Sequence, residues 1–264
     1  MTLLLVLTAG CSASRRWHKH PRLMTEADVV KCVKLALESE LPDERRAAID
    51  RLARTRYLQR RVVLDALATI ARTDRSGAVR CAAVVAARKS KDPRVVATMV
   101  TILEQSPPSR RSPCTSIDVR WEALRTILAL AQAGALPADQ REPARRVAAR
   151  LLGQDRSRDI RQTAARLLGH FQDREVLGPL VDALEQRDFG VVYESERSLM
   201  RLTGRSFDYD PPAWREWLAQ TENPFADAGE LDQVLSPPPK SWWERSVEST
   251  RRTMASFRPK KDDS

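Results

Sequence analysis

A stretch of 32 residues occurs twice in this chain, and it constrains the fold more than any other feature. Residues 74–105 align without a gap on residues 155–186, and 11 of the 32 aligned positions are identical. The identical pairs fall at helical spacings and include Asp74/Asp155, Arg80/Arg161 and Ala83/Ala164. Self-similarity over a period of this length is typical of repeat arrays, in which each unit packs only against its neighbours.

The repeat has a signature in which an apolar residue precedes an arginine and an alanine follows three residues later. It is clear at Arg80, Arg120 and Arg161, weaker at Arg45 and degenerate near Tyr193. The intervals of 35, 40, 41 and 32 residues lie in the range of two-helix repeats. The small alanine allows neighbouring helices to approach closely. We predict an all-α fold, an α-solenoid of about five helix pairs: 26–38 with 43–56, 59–72 with 76–90, 94–105 with 117–133, 138–152 with 158–171, and 175–186 with 190–203.

This pattern resembles HEAT repeats, specifically the HEAT-like units of the PBS-lyase type. The resemblance implies an Asp six residues before the signature Arg, at the entrance of the second helix of each pair, and an Asp–Arg side-chain ladder between repeats. The predicted ladder residues, all structural, are Asp74, Arg80, Arg120, Asp155 and Arg161. Cys114 and Ser39 replace the Asp in two repeats, so we expect the ladder to be broken there.

Positive charge suggests a binding surface on the repeats. The chain has a net charge of +10, to which residues 1–25 contribute +4, residues 26–204 contribute +8, residues 205–235 contribute −5 and residues 236–264 contribute +3. If the second helices line the concave face, as in HEAT proteins, basic residues on them would form a groove for an acidic protein partner. An ordinary solvated face is the alternative. The candidate groove residues are Arg51, Arg54, Lys89, Arg125, Arg166, Arg197 and Arg201.

The first residues of the chain resemble a bacterial lipoprotein signal. A short apolar run precedes the sequence Leu7-Thr8-Ala9-Gly10-Cys11, which resembles a lipobox. The resemblance implies a signal peptide at 1–10, lipidation of Cys11 and a basic tether at 11–25. An apolar N-terminus on a cytosolic protein is the alternative, because no Lys or Arg precedes the apolar run.

After the repeats, residues 205–220 are expected to cap the end of the solenoid. Asp210 and Pro211 suit a helix start, and Trp214 and Trp217 share one apolar face of the helix that follows. An aromatic ligand site formed by Trp214, Trp217 and Tyr209 is the alternative. Residues 221–240 are predicted to be a linker. Residues 241–264 have the pattern of a basic amphipathic helix, suited to an anionic membrane or to a partner. A mostly disordered tail that uses this apolar stripe weakly is the alternative.

The four cysteines are not spaced as metal ligands. Cys32 and Cys81 lie in predicted helices and are expected to be buried, and Cys114 lies in the polar loop 106–116, which is either a contact site or a tolerated insertion. A disulfide cannot be inferred from their spacing.

No phosphate-binding loop, dinucleotide fingerprint, zinc-protease pair or nucleophile elbow is present, so we expect neither catalysis nor a cofactor. The leading hypothesis is a non-enzymatic scaffold in the cell envelope, facing the periplasm, which binds a protein and is anchored to the membrane through Cys11. A nucleic-acid-binding protein, by analogy with HEAT-like DNA glycosylases, and a chromophore-lyase-like enzyme are weaker alternatives.

Overall fold

The computed structural model describes residues 24–105 and 116–229, and in this part of the chain every regular element is helical. Ten helices form five consecutive pairs, and an eleventh follows them. Short 3₁₀ turns at Pro93–Val95 and Arg174–Val176 lead into the fifth and ninth helices. The helices are α1 Glu26–Glu38, α2 Pro42–Leu52, α3 Arg61–Thr73, α4 Gly77–Ser90, α5 Val96–Glu104, α6 Ile117–Gln132, α7 Ala138–Gln154, α8 Arg158–Leu168, α9 Leu177–Ala183, α10 Phe189–Thr203 and α11 Pro211–Gln220.

The helix pairs stack in order into an α-solenoid, which confirms the predicted fold class. Odd-numbered helices contact the next odd-numbered helix, and even-numbered helices contact the next even-numbered one. The even-numbered row makes the more extensive contacts. Since the inner row of a curved stack is the more closely spaced one, we call α2, α4, α6, α8 and α10 the inner row, and their solvent-exposed side the inner face.

Close spacing of the inner row depends on a small residue at one register. The N-cap residues of the five inner helices are Leu41, Ser76, Ser116, Ser157 and Asp188. The residue seven positions after each N-cap has no solvent exposure, and these residues are Ala48, Ala83, Ala123, Ala164 and Ser195. A larger side chain at this position would push neighbouring inner helices apart.

The ladder runs from the arginine of one repeat to the acidic residue of the next repeat. Arg45 donates two hydrogen bonds to the Asp74 carboxylate, at 2.7 and 2.9 Å. Arg120 pairs with Asp155 at 3.2 Å, and Arg161 donates to the side-chain oxygen of Gln186 at 2.9 Å. Gln186 therefore occupies the Asp position of the fifth repeat.

Within its own repeat the arginine binds backbone rather than carboxylate. Arg80 donates through Nη1 to the carbonyl of Asp74 at 2.5 Å, and Arg161 donates to the carbonyl of Asp155 at 2.8 Å. Asp74 and Asp155 also accept hydrogen bonds from Ser76 and Ser157 N–H groups, both at 2.8 Å. Each Asp thus fixes a helix entrance and also binds the preceding repeat.

A break was expected at Ser39, but no ladder contact is lost there. The residue at the Asp position pairs with the arginine of the preceding repeat, and Ser39 belongs to α1–α2, the first pair described. Arg45 keeps its forward partner, Asp74, and donates to the Ser39 carbonyl at 2.7 Å. Cys114, where the other break was expected, lies outside the described residues.

Three helix ends and one cysteine differ from expectation. Helix α2 ends at Leu52 instead of 56, and a run of turns follows in which Tyr57 and Leu58 are buried. Helix α8 ends at Leu168 instead of 171, and α9 ends at Ala183 instead of 186. Cys81 is only partly buried, whereas Cys32 is 3% exposed. Both are free thiols, and burial raises the pKa of each.

The C-terminal cap is attached to α10 by a buried carboxylate. Glu196, which is 2% exposed, accepts hydrogen bonds from Trp214 Nε1 at 2.8 Å, from Ser206 Oγ at 3.1 Å and from the Phe207 N–H at 3.3 Å. Trp214 is fully buried and Trp217 packs edge-on against it.

The cap helix begins as its sequence suggests. Asp210 is its N-cap and accepts from the Ala213 N–H at 3.2 Å, and Pro211 is its first residue. Tyr209 points elsewhere and contacts Phe189. The three residues of the alternative aromatic ligand site are therefore not brought together.

Residues 221–229, the first part of the predicted linker, pack back onto the repeats. Gly229 N–H donates to the Arg201 carbonyl at 3.2 Å, and Arg205 pairs with Asp227 at 2.5 Å. Gly204 ends α10 with a φ of 68°, and a Cβ there would lie 2.1 Å from the Asp227 carbonyl oxygen. The described chain therefore ends beside the C-terminal end of α10.

Candidate functional site

The inner face carries side chains that differ from repeat to repeat. Two registers form its centre, five and nine residues after each N-cap. From the first repeat to the fifth, the earlier register holds Arg46, Cys81, Trp121, Gln162 and Tyr193, and the later register holds Asp50, Val85, Arg125, Arg166 and Arg197. In the last three repeats the later register is an uninterrupted column of arginines, which we call the arginine column.

Arg125 is held by two neighbouring side chains, Trp121 and Glu122, which are themselves held by other inner helices. Its guanidinium carbon lies 4.6 Å from the centre of the Trp121 ring, and its Nη1 lies 2.9 Å from the Glu122 carboxylate. Glu122 also binds Arg88 of the preceding inner helix at 3.1 Å. The indole N–H of Trp121 donates a hydrogen bond to the Thr163 hydroxyl on α8, the next inner helix, at 3.3 Å. These contacts fix the guanidinium while its side chain remains 38% exposed.

Arg166 has a similar arrangement one repeat further along. Its Nη2 lies 2.6 Å from the carboxylate of Glu194 in α10. Hydrogen bonding to Glu194 raises the pKa of Arg166. The Arg166 side chain is 50% exposed, whereas that of Glu194 is only 8% exposed. The buried carboxylate thus orients an arginine that still faces solvent.

Arg197 ends the arginine column over an aromatic ring. Its guanidinium carbon lies 5.5 Å from the centre of the Tyr193 ring, within cation–π distance. The Tyr193 ring lies 6.2 Å from that of Phe189, which lies 6.0 Å from that of Tyr209. We call Phe189, Tyr193 and Tyr209 the aromatic patch.

The aromatic patch is solvent-exposed, unlike most large aromatic side chains. Phe189 is 69% exposed, Tyr193 40% and Tyr209 39%. Isolated exposed apolar residues are common, but contiguous apolar surface marks interaction sites. Partial burial against Phe189 and the turn raises the pKa of Tyr209.

The remaining predicted groove residues fall into two groups. Arg54, Lys89 and Arg201 lie thirteen residues after their N-caps, on the same side as the arginine column, and all are at least partly exposed. Arg51 lies ten residues after Leu41, and the four residues at that register in the other inner helices are buried: Ala86, Thr126, Leu167 and Ser198. Arg51 therefore faces the first end of the stack, near Cys32, and is not part of the inner face.

Sequence reasoning missed the supporting residues of this surface. Glu122 and Glu194 both lie six residues after their N-caps, so their shared register was a usable signal. Phe189 and Tyr193 are spaced i, i+4, which was a second signal. Tyr209 reaches the patch through a turn in which Asp208 and Tyr209 have φ values of 52° and 65°. No feature of the sequence indicated that turn.

Several predicted sites cannot be placed. Cys11, the loop residues 106–115 and the tail from residue 230 onward lie outside the described residues. Of the helices in the described ranges, none has the length and apolar character needed to cross a membrane.

Comparison with known proteins gives one kind of similarity. Neither a protein-family model nor a curated protein matches the chain. Among solved structures, it is similar to a crystal structure of computationally designed armadillo repeat proteins for modular peptide recognition. The two share 15% sequence identity and a TM-score of 0.49, and the match covers 87% of this chain and all of the other.

Proposed function

We propose that this protein is a non-enzymatic HEAT-like scaffold whose inner face binds an acidic segment of a partner protein. The observation that carries the proposal is the arginine column. Arg125, Arg166 and Arg197 occupy one register in three consecutive repeats, and each is already oriented by a carboxylate or an aromatic ring.

The orientation of these arginines matters because flexible side chains lose entropy when they bind. A guanidinium that is held in place before binding loses less, and its planar set of N–H donors suits carboxylates. Glu122 and Glu194 each use part of that donor set, so they lower the net positive charge but fix its geometry. This arrangement favours recognition of carboxylates at defined positions over general attraction of a polyanion.

A matched set of variants tests the inner face. Glutamine is the appropriate replacement, since a new glutamate at Arg125 or Arg166 would face the buried Glu122 or Glu194. In a pulldown, we expect the Arg125→Gln/Arg166→Gln/Arg197→Gln protein to recover at least about tenfold less partner than wild type. Each lost hydrogen bond to a charged group removes about 1.5–3 kcal/mol of binding free energy.

The control carries the same change of charge on the odd-numbered helices. Arg61, Arg72 and Arg146 are exposed there, so Arg61→Gln/Arg72→Gln/Arg146→Gln should recover the partner as wild type does. Thermal unfolding of all three proteins shows whether each remains folded. If the inner-face variant recovers as much partner as wild type does, the arginine column is an ordinary solvated surface and the proposal is wrong.

We further propose that Cys11 is lipidated and anchors the scaffold in the cell envelope, facing the periplasm. The lipobox-like sequence supports this. Labelling of the expressed protein with palmitate, with Cys11→Ala as control, tests it. We expect label on wild type in the membrane fraction and none on the variant. Unlabelled wild type in the soluble cytosolic fraction would reject the anchor and reopen the nucleic-acid alternative.

A further inference from the structure

The aromatic patch lies at the end of the arginine column, and its three residues are 39–69% exposed. Its three rings form one continuous surface, with centroids 6.0 and 6.2 Å apart. Phe189, at 69%, has the highest exposed fraction of the large hydrophobic residues in the described ranges. Exposed aromatic surface of this kind is stabilised when another apolar surface covers it.

The backbone that presents Tyr209 is in an unfavourable conformation. Asp208 and Tyr209 both lie in the left-handed region, which costs about 1–2 kcal/mol for a residue with a Cβ. The turn is held on both sides, by the Ser206 and Phe207 hydrogen bonds to buried Glu196 and by the Asp210 cap of α11. The fold therefore keeps Tyr209 against Phe189 despite this cost.

The charge differs between the two sides of the patch. Arg197 lies over Tyr193 on the side of the arginine column, whereas residues 205–229, which include Tyr209, carry a net charge of −3. Asp208 and Asp210 flank Tyr209 and are exposed. A segment that combines apolar side chains with positive charge would therefore complement the patch and the cap beside it.

The chain supplies such a segment within reach. Residues 241–261 contain Trp243, Val247, Met254 and Phe257 at helical spacings, together with six Lys and Arg residues. Gly229 is bonded to Arg201, and the patch lies at the other end of α10, about 18–20 Å away at 1.5 Å per residue. Thirteen residues, 230–242, can span at most about 43–47 Å. A tether of this length gives an effective concentration in the millimolar range, so even weak intramolecular docking is populated.

We infer that residues 241–261 dock on the aromatic patch of their own chain and cover the last turn of the inner face. The basic side chains would lie against the acidic cap, and the apolar stripe would cover Phe189, Tyr193 and Tyr209. Because Arg197 stacks on Tyr193, the docked segment would also shield the end of the arginine column. The docking does not depend on whether the inner face has a partner.

Hydroxyl-radical footprinting of the full chain tests the docking, because it reports the solvent exposure of individual side chains. The test variant is Trp243→Ser/Met254→Ser/Phe257→Ser, and the control is Ser246→Ala/Ser249→Ala/Ser256→Ala in the same segment. Buried Tyr57 serves as the internal reference. If the effective concentration exceeds the dissociation constant about fourfold, the patch is covered about 80% of the time, and its oxidation should rise about fivefold in the test variant.

The control should label as wild type does, and the labelling of wild type should not change on dilution. Equal oxidation of the patch in the test variant and in wild type would overturn the inference. Protection that disappears on dilution would also overturn it, since it would indicate a second copy as the occupant. If wild-type Phe189 and Tyr209 are protected only after vesicles of phosphatidylglycerol are added, the occupant is a membrane surface and the inference is wrong.

Discussion

The ladder and the inner face lie on the same five helices but follow opposite rules. At the ladder, the signature arginine binds a side-chain oxygen of the next repeat: Arg45 binds Asp74, Arg120 binds Asp155, and Arg161 binds the amide oxygen of Gln186. On the inner face, a few residues further along each helix, the arginine-column register changes from Asp50 to Val85 before it becomes arginine. Repetition therefore identifies what holds the solenoid together, and variation identifies the surface that we propose for recognition.

The difference also shows in how charge is treated. Both members of the Arg45–Asp74 pair are 8% exposed, so the ladder buries a complete ion pair. In the Arg166–Glu194 pair only the carboxylate is buried, and the arginine is 50% exposed. A buried pair contributes to the stability of the repeats, whereas a half-exposed pair orients a donor toward solvent. The following substitutions test this division.

The largest expected effect is loss of the ladder carboxylate. Asp74→Ala leaves the buried Arg45 guanidinium without the carboxylate that accepts two of its hydrogen bonds. Removing one member of a buried ion pair costs about 3–5 kcal/mol in free energy of unfolding. Denaturant unfolding measures this, with the change expected in the midpoint and not in the slope.

The matched control is an exposed pair of the same type. Arg215 and Asp182 are 46% and 72% exposed and lie 3.0 Å apart, so Asp182→Ala should cost about 1 kcal/mol or less. If Asp74→Ala were no more destabilising than Asp182→Ala, the ladder would be a surface feature and the contrast with the inner face would fail.

The second effect concerns the small residue between inner helices. Ala164 has no solvent exposure, and Ala164→Leu should lower the free energy of unfolding by about 1–3 kcal/mol through overpacking. Ala129→Leu is the control, since Ala129 is exposed on α6. A shift in thermal midpoint for Ala164→Leu but not for Ala129→Leu would support the assignment. Similar shifts in both would mean that leucine itself, and not helix spacing, is responsible.

The framework could be predicted from the sequence because its residues recur. The Arg and Ala signature placed the five pairs, and the spacing of Trp214 and Trp217 placed the cap helix. The direction of the ladder could not be predicted, because Asp74 is 6 residues from Arg80 but 29 from Arg45 in the sequence, and only the stacking of repeats brings Arg45 to its carboxylate. The register of the fifth repeat was wrong by one residue, since Val192 and not Tyr193 occupies the arginine position.

The candidate site was less predictable because it does not recur. Arg125 and Arg166 were found from their shared spacing, whereas Arg197 was included only because it lies on the equivalent helix. Arg51 was included for the same reason, although its register faces the end of the stack. The aromatic patch joins α10 to a turn after it, and two left-handed residues set that turn. Local sequence preferences disfavour such residues, so the contact became visible only in three dimensions.

The smallest expected effect comes from exchanging residues within the variable register. Val85 occupies in the second repeat the position that Arg125 and Arg166 occupy later, and it is partly exposed on α4. In Val85→Arg the long side chain can extend into solvent, and arginine is the better helix former, so the free energy of unfolding should change by no more than about 0.5 kcal/mol. Chemical denaturation of Val85→Arg and Ala164→Leu in parallel allows the two losses of stability to be compared. A loss of more than about 2 kcal/mol in the free energy of unfolding would show that Val85 is needed for helix packing. The contrast between a structural ladder and a variable inner face would then hold only for the last three repeats.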